Sequence, residues 1–134
     1  MTETKNTYKD NDFINLSFGD SDILDMQFDS ESKTLKLYLD GAYWHLEPKK
    51  VLDKGFLLFS NWQSITNEYW DGNNWIPCQN LKGEPLKDLL IFKYSDEAVV
   101  LESWAKNIPG WIRWKMMKPN CYGQFVDSDI ECWF

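Results

Sequence analysis

The chain has few of the residues from which small active sites and cross-linked scaffolds are built. It holds one histidine, His45, and three cysteines, Cys78, Cys121 and Cys132. The cysteine number is odd, and the spacings fit neither a zinc pair nor a redox pair, so reduced thiols are expected. A metal site on His45 would need thiolate or carboxylate help at a ligand spacing that is absent, and no cofactor is expected. The seven glycines are scattered singly, which excludes a phosphate-cradling loop; dinucleotide and calcium motifs are absent too. Lys and Arg number 14 against 21 Asp and Glu, a net charge of -7, so a broad nucleic-acid-binding surface is not expected. No aliphatic-aromatic run exceeds four residues, as in Leu89-Leu90-Ile91-Phe92, far too short to span a bilayer. The polar opening, Met1 to Asn6, does not read as a signal peptide, and a cytoplasmic location is the expectation. No repeat, low-complexity stretch or Gly/Ser-rich linker divides the chain. One domain over residues 1–134 is expected, with residues 1–12 loose until Phe13 and Ile14 engage the core.

Aromatic residues are abundant: eight Trp, six Tyr and eight Phe. These residues favour strands and binding surfaces alike. The clearest stretch runs from Asp22 to Leu46. Leu24, Met26 and Phe28 alternate with polar residues, as do Leu35, Leu37 and Leu39, which predicts two half-buried strands joined at Ser30-Glu31-Ser32-Lys33. Asp25, Gln27 and Asp29 then share the opposite face. Asp40-Gly41 suits a type I′ turn into a third strand, Ala42 to Leu46, ended by Glu47-Pro48. Lys49 to Gly55 reads as a connection with room for one helical turn, and Phe56 to Phe59 as the start of a buried strand.

Further on, Asn61 to Trp70 alternates without a purely apolar face. Asp71-Gly72-Asn73-Asn74 is a turn signal that would bring Trp70 and Trp75 together across a hairpin. In Leu86 to Phe92, Leu86, Leu89 and Leu90 fit a helical stripe while Leu90, Phe92 and Tyr94 fit alternation; strand is favoured over helix, although a run this short cannot be typed by period alone. Ala98 to Trp104 and Trp111 to Met117 read as strands, with Ile112, Trp114 and Met116 opposite Trp111, Arg113, Lys115 and Met117. The tail, Asp127 to Phe134, ends on Cys132-Trp133-Phe134, which should dock on the core. Together these segments predict a mainly β fold, or α+β with little helix. The expected form is an antiparallel sheet of consecutive hairpins, as a sandwich or a partly open barrel.

Charge is unevenly spread. Residues 1–40 carry nine acids and four bases, -5 of the -7, whereas Lys106 to Lys118 carries four bases and no acid. Pairing between these two regions within the fold is one expectation. A Cys78 or Cys121 nucleophile beside His45 would make a small hydrolase, and such partners need only be adjacent in space. Exposed coplanar aromatics would make a carbohydrate or small-ligand module. Neither has a motif, which leaves non-catalytic binding as the leading reading. A small, acidic, tryptophan-rich β chain of this kind resembles the immunity proteins of bacterial polymorphic and contact-dependent toxin systems. The pattern Asp22 to Asp29 followed by Leu35 to Leu39 is the most specific part of the likeness. The resemblance implies a cytosolic inhibitor that occludes a cognate toxin, such as a nuclease, with no direct nucleic-acid or membrane contact. Such toxins carry cationic clefts, and carboxylates complement them. The expected partner surface is Asp20, Asp22, Asp25, Asp29 and Glu31, with Trp62, Trp70 and Trp75 as anchors.

Overall fold

The computed structural model describes residues 5–19, 21–79 and 83–128. In chain order the strands are β1 (Lys5–Lys9), β2 (Leu16–Ser17), β3 (Ser21–Asp29), β4 (Thr34–Leu39), β5 (Ala42–Trp44), β6 (Lys50–Ser60) and β7 (Ser64–Trp70). They continue with β8 (Trp75–Pro77), β9 (Asp88–Leu89), β10 (Ile91–Tyr94), β11 (Ala98–Trp104), β12 (Trp111–Met117) and β13 (Asn120–Asp127). A 3₁₀ helix, Asp10–Asn15, links β1 to β2.

The strands form two antiparallel sheets that do not close into a barrel, as a β sandwich requires. The larger sheet runs β1-β13-β6-β4-β3-β9, with β5 also on β6 and β2 on β5; the smaller runs β10-β11-β12-β7-β8. Period-two alternation supplies the core. Leu35, Leu37, Leu39, Leu57, Phe59 and Phe125 come from the larger sheet, and Val99, Leu101, Ile112, Trp114 and Met116 from the smaller, all fully buried or nearly so. The chain crosses between sheets at Asn61 and at Lys118, two non-glycine corners with φ of 53° and 48°. Trp62 plugs the first corner. It is 3% exposed and stacks on Phe28 at 6.0 Å. The open side between β3 and β7 is closed by residues 83–87. There the Glu84 N–H donates to Asn67 Oδ1 (2.6 Å), and the Trp114 indole N–H donates to the Glu84 carbonyl (2.9 Å).

The β3–β4, β7–β8 and β11–β12 hairpins fall where strand patterns and the Asp71 to Asn74 turn signal predicted them. Asp71 caps the β7–β8 turn, its carboxylate accepting from the N–H groups of Asn73 and Asn74 at 2.7 Å each. Leu86 to Phe92 is not helical. Leu86 bridges to Ala105, β9 joins the larger sheet and β10 the smaller, so the chain changes sheets at Leu90.

Four expectations are corrected. First, Asp40-Gly41 is not a hairpin turn. β4 and β5 lie end to end along the same side of β6, with Leu39 opposite Gly55 and Ala42 opposite Leu52, so the register is kept across the break. Gly41 is not among the positive-φ residues. It is needed because a Cβ there would sit 2.9 Å from the Leu52 carbonyl oxygen. Second, Lys50 to Gly55 is strand, not a connection: β6 runs unbroken for 11 residues, because β5, β4 and β13 all hydrogen-bond to it. Third, residues 5–9 are an edge strand on β13 rather than loose, tied down by the buried ring of Tyr8. Fourth, Leu24 points outward and is 52% exposed. The β3–β4 register slips between Ile23 and Asp25, and this bulge reverses the alternation, so Ile23 rather than Leu24 enters the core. The end of the tail, including Cys132, lies outside the described residues.

The corrected role of Gly41 separates two backbone geometries. Gly41→Ala and Gly41→Asn should both destabilise, by about 1–3 kcal/mol, because any Cβ meets the Leu52 carbonyl. A turn needing only positive φ would instead spare Asn relative to Ala. Urea melts of the two variants decide between these outcomes.

Candidate protein-docking face

The bulge at Leu24 shapes the solvent side of the larger sheet. Asp22, Leu24, Asp25, Gln27 and Asp29 all face outward from β3, while Met26 and Phe28 pack inward. Register then sets aromatic side chains beside them. Asp25 lies opposite Tyr38, Tyr38 opposite Phe56, and Phe56 opposite Gln124. One row along, Gln27 is followed by Lys36, Leu58 and Tyr122. Tyr38, Phe56 and Tyr122 form a half-buried chain of rings with centroids 6.1 and 5.9 Å apart. The Lys36 ammonium lies over two of them, 4.8 Å from the Tyr38 centroid and 4.3 Å from that of Phe56. The result is an apolar centre with carboxylates along one side.

The carboxylates are fixed by local bonds. Asp25 accepts from the Met26 N–H and from Gln27 Nε2 at 2.9 and 3.1 Å. Asp29 accepts from the N–H groups of Ser32 and Glu31. The Ser32 N–H, then its side chain, then the Glu31 N–H hold the Asp29 pKa below its ordinary value, so this group stays charged into mildly acidic pH. Among the described residues no cation of the Lys106 to Lys118 strip pairs with this acidic region. Arg113 pairs with Glu68 at 2.7 Å and Lys118 with Glu97 at 3.9 Å. The expected pairing of acidic and basic regions within the fold is thereby corrected: β12 and β3 lie in different sheets, and their charged residues face opposite ways.

The site residues inferred from sequence divide three ways. Asp22, Asp25, Asp29 and Glu31 are exposed along β3 and its hairpin loop. Asp20 lies outside the described residues. Trp62 is buried in the core and cannot anchor a partner. Trp70 and Trp75 do meet across their hairpin, at 5.4 Å and 61°, but on the outer face of the smaller sheet, away from the acids. The aromatic residues beside the acids are Tyr38, Phe56 and Tyr122, with Leu24. Each occupies a position of β4, β6 or β13 where alternation calls for a polar side chain, but only the long-range pairing of these strands brings the three together.

The other chemistries meet specific obstacles. For the expected Cys–His pair, Nε2 of His45 is hydrogen-bonded to Ser17 Oγ at 2.6 Å, not to Cys78 or Cys121. Burial, with Glu84 and Glu68 nearby, raises the Cys78 pKa, and burial together with the Asp10 carboxylate pushes that of Cys121 up to about 12. A nucleophilic thiol needs the opposite shift. Among the described residues no group of three or more His, Cys, Asp or Glu could hold a metal ion, and no helix is long and apolar enough to cross a membrane. A cleft of about 490 Å³ beside residues 83–85 is walled by Phe28 and Trp114. These two rings meet edge to face at 63°, not as a flat sugar platform. Comparison with known proteins finds no family model, no curated protein and no solved structure that matches the chain.

The raised thiol pKa fixes a pH dependence. In the unfolded chain Cys121 loses its proton near its ordinary 9.0, whereas in the fold it keeps it to about 12. The native state therefore binds more protons in this window, so stability is undiminished below pH 9 and falls as pH rises toward 12. Tyr8, raised from 10.0 to about 12 mainly by burial, acts with the same sign. Denaturant melts from pH 7 to 11 should show this decline, and Cys121→Ser should shrink it. A flat profile would refute the assignment.

Proposed function

We propose that the chain is a non-catalytic binding protein that neutralises a cognate bacterial toxin by docking on its cationic surface and occluding its active site. The observation that carries this reading is the register pair Asp25–Tyr38, which joins acidic and aromatic residues into one outward face. Carboxylates at the side steer a cationic partner and reject like-charged ones, while desolvated aromatics at the centre supply the affinity. A nuclease, whose cleft must bind phosphates, is the natural target class. The guarded edge of β3 has a plainer explanation as well, since bulges and charges keep edge strands from pairing with other chains. That explanation accounts for Asp25, Asp29 and the bulge. It does not account for the rings of Tyr38, Phe56 and Tyr122, which sit on interior strands.

The test is capture of the partner from the source bacterium, followed by association kinetics. Asp25→Lys with Asp29→Lys should slow association by roughly tenfold or more at low salt, with the difference shrinking as salt rises. Tyr38→Ala should instead speed dissociation, at a cost of about 2 kcal/mol. An association rate indifferent to the double reversal, at any salt, would remove this face as the docking site.

A further inference from the structure

The outer face of the smaller sheet has a different character. Trp104 lies opposite Trp111, and Trp70 opposite Trp75. The β12–β7 register, one step beyond Ile112–Tyr69, sets Trp111 beside Trp70. Four indoles therefore cross four strands in a single row at one end of the sheet. Trp104 is 54% and Trp70 is 42% exposed. The next row is Glu102–Arg113–Glu68, and the third places Lys93 and Lys115 on either side of Val100.

Within this face both carboxylates are already engaged, whereas several donors are not. Glu68 accepts from Arg113 Nη2 at 2.7 Å, and Glu102 from the Trp111 indole N–H at 2.8 Å. The Arg113 guanidinium covers the Trp75 ring at 4.0 Å. By contrast, among the described residues the indole N–H groups of Trp70, Trp75 and Trp104 have no acceptor, and Lys93 and Lys115 have no ion pair. An indole N–H that becomes buried at an interface needs an acceptor. A partner fitted to this face must therefore bring carboxylates and carbonyls together with apolar surface for the rings.

From this we propose that the outer face of the smaller sheet is a second docking surface, which binds an acidic polypeptide segment. It is separate from the acidic face of the larger sheet and does not depend on the function proposed for it. The ring geometry favours a peptide over a single-stranded nucleic acid. The two indole pairs meet at 87° and 61°, so successive bases would find no run of parallel faces. Glu68 and Glu102 also lie between the rings and the lysines, where a continuous phosphate backbone would have to pass.

The experiment is a titration of the ¹⁵N-labelled full chain with a Glu- and Leu-containing dodecapeptide, read on assigned indole N–H signals. Those of Trp70, Trp75 and Trp104 should shift, while those of buried Trp62 and Trp114 stay put. Lys93→Glu with Lys115→Glu should weaken binding about tenfold, and so should raising salt to roughly 0.3 M. The two lysines hold no ion pair that the variant would break, and unshifted Trp62 and Trp114 signals in it verify that the fold is kept. Asp25→Lys with Asp29→Lys should leave the titration unchanged. The proposal is overturned if the three indoles do not move, if they move equally in the lysine variant, or if an oligothymidylate displaces them at lower concentration than the peptide.

Discussion

A strand can send only every second side chain into a core, and this sandwich depends on where that parity is kept and where it slips. Along β4 and β12 it never slips: Leu35, Leu37 and Leu39 on one, and Ile112, Trp114 and Met116 on the other, are buried without interruption. Along β3 and β6 it slips once each. The bulge at Leu24 turns an apolar residue outward among carboxylates. In β6, Leu52 and Leu57 both face inward although five positions apart, and the β13 register shifts at the same level, between Phe125 and Asp127. That slip lets one 11-residue strand carry β4 and β5 in succession, with Gly55 and Gly41 where backbones approach most closely.

These slips separate what could be read in the sequence from what could not. Strict alternation over Leu35 to Leu39, the β-branched centre of Ala98 to Trp104 and the two-faced pattern of Trp111 to Met117 report local properties of the backbone, and the β3–β4 and β11–β12 strands followed from them. The Asp71 to Asn74 turn was legible because its chemistry is local too. Asp40-Gly41 has the composition of a tight turn, yet its geometry is set by β6, which lies ten or more residues further on. Lys50 to Gly55 lacks an apolar pattern of its own and is strand because three neighbours pair with it. Leu24 and Trp62 were misplaced for related reasons, since neither a bulge nor a corner between sheets leaves a periodic mark. For the candidate site, the acids were legible from charge density alone. Their aromatic neighbours were not, because no spacing within the sequence states that Tyr38, Phe56 and Tyr122 share a face.

The tryptophans illustrate how little composition says about role. Trp62 and Trp114 are core residues, one filling a corner and the other holding residues 83–87 through its bond to the Glu84 carbonyl. Gly83 has a φ of 75°, and a Cβ there would run into the Trp114 ring, so the close approach and the backbone geometry both require glycine. Trp70, Trp75, Trp104 and Trp111 lie on the opposite side of their own sheet. Each of their two cross-strand pairs contributes on the order of 0.5–1.5 kcal/mol beyond its buried area, which is reason enough to keep the pairs together. It is no reason to align the pairs in one row or to leave two rings about half exposed.

The net charge of -7 is a poor guide to what either face attracts. Sheets in a sandwich pack about 10 Å apart, and side chains on the two outer faces add to that separation. At physiological salt, exposed charges are screened beyond about 8 Å. A molecule approaching the smaller sheet therefore meets Lys93, Lys115 and the indole donors around the engaged row Glu102–Arg113–Glu68, with Asp25 and Asp29 largely screened behind the sandwich. One approaching the larger sheet meets those carboxylates and the rings beside them. The sandwich thus allows an acidic chain to hold a donor-rich surface, because its two outward parities are electrostatically almost independent.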